Sequence, residues 1–255
     1  MVLPSSPLSD MPAAAAASTV PAAAPAATAV ATVQEVRDVQ GQLAARCSFL
    51  HEVPHGPMSA FNATGLPSME GTYQFGLPHG AQRMYDEQGQ LLQQTHRVGG
   101  LPDGVTQTYF PTGKVMLEQR HSAGVLHGDC LIYAESGDVV AKMPYVAGRL
   151  HGEVVYFHEG RAVRREMYKA GLLDGDTRDF APNGAVSLLT PFRSNVVHGT
   201  LKRYWPNGQL MEEVVYRNGK PSGARRSFGA DGREAGTTTS PPGFMKSLEK
   251  IVKGH

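Results

Sequence analysis

Histidine is the residue type in this chain whose spacing first suggests chemistry, because imidazole nitrogens are common metal ligands. Five histidines each precede a glycine at a recurrent position: His55, His79, His127, His151 and His198. Equivalent residues of adjacent β-hairpin units lie two strands apart, about 9.6 Å, whereas two nitrogens on one zinc ion lie within about 4 Å. Asp103, Asp174 and Ser222 take the same place in other units. The pattern favours a turn or capping role, and we predict no metal site.

The cysteines and the known catalytic motifs give no enzyme signature. Cys47 and Cys130 are the only cysteines, and in a continuous array about seven strands, roughly 34 Å, would separate them. No disulfide spans that distance. The chain has no Cys-x-x-Cys, no Gly-x-Ser-x-Gly and no Gly-Lys-Ser/Thr phosphate loop. We therefore predict that the protein is not an enzyme and needs no cofactor.

The elements that would position any site belong to a tandem repeat. A glycine recurs every 24 residues, with one step of 23, at Gly41, Gly65, Gly89, Gly113, Gly137, Gly160, Gly184, Gly208 and Gly232. From Gly65 onward, the residue four positions earlier is aromatic: Phe61, Tyr85, Tyr109, Tyr133, Tyr156, Phe180, Tyr204 and Phe228. A period of this length indicates stacked supersecondary units that cannot bury their apolar faces alone.

Each unit is predicted to be a strand, a turn, a strand and a second turn. The segment 199–219 shows it best, because Asn-Gly closes both of its turns, and Asn-Gly between strand-like runs is a strong hairpin signal. A second glycine lies 11 residues after most of the first ones, with Asn195 in one place, and Gly and Asn accept positive φ cheaply. The fold class is therefore all-β, an elongated single-layer antiparallel sheet.

These residues resemble the MORN repeat, specifically the bacterial MORN-variant repeat with its Gly, Tyr, Asn-Gly, Leu and Tyr-x-x-Gly positions. The resemblance covers about Val33 to Glu234, eight units and a leading half unit. It implies hairpins that continue one another into a long twisted sheet, and a family that includes antitoxins or immunity proteins. Arg97 and His121 replace the second aromatic residue in two units, and Pro144 and Pro191 interrupt second strands, where a missing N–H is tolerated at an edge or bulge.

The two ends of the chain differ from the array. Residues 1–32 are rich in Ala and Pro and lack a basic residue, which predicts a disordered leader rather than a secretory signal, and hence a cytoplasmic protein. Residues 33–235 form the array and 236–243 a linker. Residues 244–255 are predicted to be a short amphipathic helix that caps the last strand or binds a membrane or a partner.

Charge and the additional aromatic residues select a candidate surface. Residues 1–148 carry 7 basic and 12 acidic side chains, whereas residues 149–235 carry 14 and 10. Phe157 and Trp205 are aromatic residues outside the repeated position in the basic half. Aromatic and Arg anchors dominate many protein interfaces. The predicted partner-binding residues are Phe157, Arg164, Arg165, Lys202, Arg203, Tyr204 and Trp205.

These patterns predict a non-catalytic protein-binding scaffold. The resemblance implies a cognate toxin or secreted effector as the partner. Alternatives are a membrane-associated scaffold that binds anionic phospholipids, and an accessory subunit of a separate enzyme. Nucleic acid is disfavoured, because the net charge of +1 is small and acidic side chains are interleaved with the basic ones.

Overall fold

A computed structural model describes residues 31–238, which form one antiparallel sheet of 24 strands. Each long strand pairs with the next one along the chain, so the described chain is a continuous meander. This confirms the predicted all-β sheet of tandem hairpins. The predicted leader, apart from Ala31 and Thr32, and the whole predicted C-terminal helix lie outside the described residues.

The first ten strands are β1 Thr32–Arg37, β2 Leu43–Leu50, β3 Val53–Phe61, β4 Pro67–Gln74, β5 Leu77–Pro78, β6 Gly80–Tyr85, β7 Leu91–Val98, β8 Leu101–Tyr109, β9 Val115–Ser122 and β10 Val125–Leu126. The remaining fourteen are β11 Gly128–Tyr133, β12 Val139–Val146, β13 Arg149–Leu150, β14 Gly152–His158, β15 Arg161–Lys169, β16 Leu172–Leu173, β17 Gly175–Phe180, β18 Val186–Arg193, β19 Val196–Val197, β20 Gly199–Tyr204, β21 Leu210–Arg217, β22 Lys220–Pro221, β23 Arg225–Phe228 and β24 Glu234–Thr238. β24 includes the first three residues of the segment predicted as a linker.

The first turn of a unit contains the glycine of the 24-residue period. In the turn between β11 and β12, Gly137 donates its N–H to Ala134 and has a φ of 99°. A type I turn followed by one left-handed residue is the usual three-residue hairpin loop. A side chain on Gly137 would meet no atom within 4 Å, so only backbone strain selects glycine there. The left-handed turn predicted from the sequence is confirmed.

The second turn of a unit is a two-residue turn with two left-handed residues. Gln74 pairs with Leu77, and the residues between them, Phe75 and Gly76, have φ values of 51° and 81°. Two positive φ values define a type I′ turn, whose twist matches that of the flanking strands. Ala123, Ala147, Ala170 and Ser194 hold the position of Phe75 in later units, also at positive φ. The sequence revealed the glycine of each such turn but not its left-handed neighbour.

The glycine that opens a unit lies in a bulge. Leu126 pairs with His121 and Leu131 with Glu118, so the later strand accommodates two extra residues, His127 and Gly128. Gly128 has a φ of 105°. Bulges of this kind kink a strand and raise its local twist. The same irregularity recurs along the array, so each unit adds a bend at a fixed place.

The prolines within second strands face these bulges. The carbonyl oxygens of Pro144 and Pro191 accept hydrogen bonds from the N–H groups of His151 and His198. Because the nitrogen and oxygen of one strand residue point to the same side, each missing proline N–H faces the interrupted ladder. The sheet therefore loses no regular hydrogen bond, as expected for proline at a bulge.

Alternate residues divide the sheet into two faces. The inner face carries nearly all the buried side chains, among them Thr95, Thr106, Cys130, Ala141, Val154, Glu166, Thr177, Thr190, Phe192, Leu201, Glu212, Val214 and Tyr216. Its densest cluster consists of Phe192, Val197, Leu201, Val214 and Tyr216, packed against Leu173 and Leu188. The outer face carries the repeated aromatic residues other than Tyr156, all of them half-buried.

Candidate protein-binding surface

The outer face presents a row of aromatic rings that hydrogen bonds and cations hold in place. The Tyr85 hydroxyl donates to Glu70 at 2.6 Å, and the Tyr109 hydroxyl donates to Gln107 at 3.0 Å. In the second half, Arg165 lies 5.8 Å from the centre of the Phe180 ring and Arg226 lies 5.2 Å from that of Phe228. Burial and the adjacent Glu70 raise the pKa of Tyr85. These rings are partly exposed and fixed, which suits an interface.

A cross-strand row next to the aromatic rings becomes basic in the second half. Arg165 of β15 pairs directly with Arg178 of β17, and Lys202 and Arg226 continue the same row two and four strands further on. We call Arg165, Arg178, Lys202 and Arg226 the basic row. In the first half, the same row reads Arg46, Ser59, Glu70, Arg83, Gln94, Gln107, Glu118, Leu131 and Lys142. The cations of the first half, Arg46, Arg83 and Lys142, are separated along this row, and only the second half places two cations directly opposite each other.

The residues predicted to bind a partner are divided between the two faces. Arg165, Lys202, Tyr204 and Phe157 lie on the outer face, whereas Arg164 and Arg203 lie on the inner face. Trp205 lies in a turn, where its indole N–H donates to the carbonyl of Phe228 at 3.0 Å. The structure therefore places four of the seven residues on one face. Trp205 instead forms a hydrogen bond that links neighbouring units.

The 23-residue unit exchanges the roles of two neighbouring aromatic residues. Its first turn, at Glu159 and Gly160, has two left-handed residues and is one residue shorter than the others. Phe157 pairs with Ala162, the same pairing that Tyr133 makes with Val139 one unit earlier. Phe157 is therefore the repeat residue, and Tyr156, counted as the repeat residue from the glycine spacing, lies on the inner face opposite Arg164. This corrects the assignment of both.

A charged cluster on the inner face surrounds Glu166, which is 5% exposed. The Glu166 carboxylate accepts a hydrogen bond from Arg164 Nε at 2.6 Å and from the hydroxyls of Tyr156 and Tyr168 at 3.3 and 3.1 Å. Arg164 also donates to Asp179 at 2.9 Å. Burial, then the charge of Glu166, raises the pKa of both tyrosines. Burial also raises the pKa of Asp179, although Arg164 opposes that shift.

A second buried carboxylate, Glu212, has a looser environment. It is 2% exposed, and its oxygens lie 2.9 Å from Arg225 Nε and 3.9 Å from an Arg203 nitrogen. Glu212 Oε1 and Arg225 Nε make no hydrogen bond, despite their short separation, because the N–H is not aimed at the oxygen. The contact is therefore an ion pair without a directed hydrogen bond.

A groove on the inner face opens beside Glu166. Its volume is about 590 Å³, and its lining is Met143, Leu150, Tyr156, Arg164, Glu166, Tyr168, Gly171, Leu173, Phe192 and Asn195. Three successive units contribute to it. None of the sequence patterns predicted this groove, since only Arg164 among its residues had been assigned to binding.

Three of the five recurrent histidines, His55, His151 and His198, accept a hydrogen bond from a turn N–H. His151 Nδ1 accepts the N–H of Ala170, and Asp103 and Asp174 accept those of Ala123 and Ser194 at 2.9 and 3.1 Å. Each acceptor thus holds the first residue of the type I′ turn about 20 positions later, which explains why His and Asp alternate in one column. Within residues 31–238, no group of three or more His, Cys, Asp or Glu residues is placed to hold a metal ion.

Neither cysteine is placed or activated for catalysis. Burial raises the pKa of Cys47 and of Cys130, which keeps both thiols protonated and weakly nucleophilic. Both thiols are free. Across the described part of the chain, no helix is long and apolar enough to span a bilayer.

Comparisons with known proteins identify the repeat. The family described as MORN repeat variant matches residues 78–98 and 197–218, which cover β6–β7 and β20–β21 with their turns. A search of curated proteins found no match. A solved structure described as "Crystal Structure of TcdB2-TccC3-Cdc42" aligns with 77% of this chain and 14% of that chain, at 10% identity and a TM-score of 0.17. Two segments of the chain are thus MORN repeat variants, which supports its placement in a MORN-repeat family.

Proposed function

We propose that this protein is a non-catalytic scaffold that binds another protein through the outer face of its second half. The observation that carries the proposal is the direct pairing of Arg165 with Arg178 beside the ring of Phe180. Like charges opposite each other in a sheet destabilise it. Glu153 and Asp176 each offset part of that cost, and a partner that places carboxylates over the pair would offset the rest, so the pairing favours an acidic protein surface.

The surroundings of the basic row favour a protein over an anionic membrane. Arg165 contacts Glu153 at 3.2 Å, Arg178 contacts Asp176 at 3.1 Å, and Arg226 contacts Glu213 at 2.8 Å. These carboxylates reduce the local positive potential that would attract a lipid surface. Interleaved charges next to aromatic rings instead match the polar rim and aromatic centre of a protein interface.

The finer proposal is that the partner is a toxin or secreted effector that this protein neutralises or chaperones. The resemblance to MORN-variant antitoxins and the two matched repeats support it. An accessory role beside a separate enzyme would use the same surface, and the identity of the partner distinguishes the two.

The test begins with the purified product of the neighbouring gene. Its binding to the full chain is measured by surface plasmon resonance, and its toxicity is measured with and without this protein. We expect saturable binding and loss of toxicity. Flotation with vesicles of phosphatidylserine and phosphatidylcholine tests the membrane alternative, for which we expect no binding. Binding to vesicles without binding to a protein partner would overturn the proposal.

Matched variants locate the interface. Arg165→Glu with Arg178→Glu should lower the association rate about tenfold and flatten its salt dependence, because charges near an interface mainly accelerate encounter. Arg83→Glu with Lys142→Glu, in the same row of the first half, is the control and should bind like the parent. Thermal melts test whether both double variants fold as stably as the parent. If both pairs bind equally well, the interface lies elsewhere.

A further inference from the structure

The groove beside Glu166 has features that the outer-face function does not use. Its centre is polar and its two ends are apolar. Tyr156, Glu166 and Tyr168 occupy the centre, Met143 and Leu150 line the end nearer the N-terminus of the array, and Leu173 and Phe192 line the other end. The side chain of Glu166 is only 7% exposed, so its charge acts in a poorly solvated place.

The charges around the centre do not balance. Glu166 and Asp179 together provide two carboxylates, and the single guanidinium of Arg164 contacts both. The facing tyrosines donate hydrogen bonds to Glu166 without adding charge. Asp174 of the adjoining bulge is a further acid, engaged with the Ser194 N–H. A cation is therefore the ligand that would complete the cluster, and tyrosine rings add attraction for a cation.

One buried hydroxyl at the cluster makes no hydrogen bond. Thr177 is 2% exposed, and its Oγ1 atom has no partner within the described chain. Arg164 pairs with Asp179 and Arg165 with Arg178, so Thr177 follows in the same register opposite Glu166. Buried hydroxyl groups usually have a partner. This hydroxyl therefore has unused hydrogen-bonding capacity on the strand next to the one that carries Glu166.

We propose that this groove binds a short extended peptide of the partner protein, with one lysine or arginine flanked by apolar side chains. The proposal rests on the proposed protein-binding function. The groove crosses strands β12, β14, β15, β17 and β18, about 19 Å at 4.8 Å per strand, which matches about six extended residues. The cation of the peptide lies against Glu166 and the tyrosine rings, and its apolar neighbours lie against the two ends.

The experiment uses the full chain and three labelled hexapeptides, Ser-Leu-Lys-Leu-Ser-Gly and its variants with norleucine or glutamate in place of lysine. Fluorescence anisotropy gives each Kd. We expect the lysine peptide to bind at least tenfold more tightly than the norleucine peptide, and the glutamate peptide not to bind. Equal affinities for lysine and norleucine would overturn the proposal, because the groove would then select only apolar surface.

Variants assign the binding to the groove. Glu166→Gln should weaken binding of the lysine peptide at least tenfold and leave the affinity of the norleucine peptide unchanged. Asp179→Asn should have the same effect to a smaller extent, and it changes a less deeply buried side chain. Glu213→Gln, on the outer face, is the matched control. An equal loss in Glu213→Gln and Glu166→Gln would overturn the assignment.

Two further outcomes are distinguishable. If replacing Lys246, Lys250 and Lys253 by Gln tightens peptide binding, the C-terminal segment of this chain occupies the groove, and the assignment to a partner peptide is wrong. If the peptides fail to bind but the outer-face variants still lose the purified partner, this inference fails while the proposed function stands.

Discussion

The two halves of the array share their turns but differ in what they place on the inner face. The position two residues after the unit-opening glycine is Met58, Gln82, Thr106 and Cys130 in the first half and Val154, Thr177, Leu201 and Arg225 in the second. Of these side chains, only Val154 and Leu201 are 0% exposed, and both belong to the second half. The buried apolar cluster and both buried glutamates also belong to the second half. The comparison teaches that hairpin geometry sets the fold along the whole array, whereas side chains at equivalent positions are free to build stability or a site.

The largest expected effect concerns the apolar cluster. Leu201→Ala should lower the free energy of unfolding by about 2 to 5 kcal/mol, because it removes a fully buried side chain and leaves a cavity. Thr106→Ala, at the same position in the first half, should cost no more than about 1 kcal/mol. Urea denaturation measures both. Equal losses would show that the two halves have similarly packed inner faces.

The next effect separates the two buried glutamates. Glu166→Ala should destabilise the fold by about 2 to 3 kcal/mol, because it leaves Arg164 and two tyrosine hydroxyls without their acceptor. Glu212→Ala should cost less, since its contact with Arg225 lacks a directed hydrogen bond. Thermal unfolding of both variants tests this order. A reversed order would mean that the looser ion pair is the more important one.

A smaller effect should be equal in the two halves. Gly137 of the first half and Gly184 of the second have φ values of 99° and 80°, and a side chain on either would meet nothing within 4 Å. Valine should therefore destabilise each turn by about 1 to 2 kcal/mol through backbone strain, and asparagine should cost much less. Melting temperatures of the four variants provide the measurement. A Val variant as stable as its Asn counterpart would contradict the role of the left-handed turn.

The smallest effect is a pH dependence. The pKa of Tyr168 is raised above its unfolded value of 10.0 by burial, then by Glu166. Above about pH 10 the unfolded chain therefore releases this proton before the folded chain does, so the free energy of unfolding falls as pH rises. Tyr168→Phe should flatten that decline more than Tyr85→Phe does in the first half. Urea midpoints between pH 9 and 11 test the difference, and identical slopes in both variants would contradict it.

The turns were readable from the sequence because glycine at positive φ depends on local backbone sterics. The spacing of Gly113 and Gly137 alone located their hairpin loops. The partners of His151 and Asp174 were not readable, since each accepts from a residue about 20 positions away. The pairing of Arg165 with Arg178 likewise depends on strand register, which bulges alter.

The sequence by itself determined the period, the strand and turn pattern, and the all-β fold, because all of these follow from local backbone preferences repeated in phase. Only the tertiary structure decided which residues share a face. A 23-residue unit has one residue fewer, but its spacing does not say where the loss falls. The structure puts it in the turn at Gly160, so Phe157 joins the outer aromatic row and Tyr156 turns inward to Glu166. A shift of one residue moves a strand side chain to the other face. Here that shift places Tyr156 in the lining of the groove.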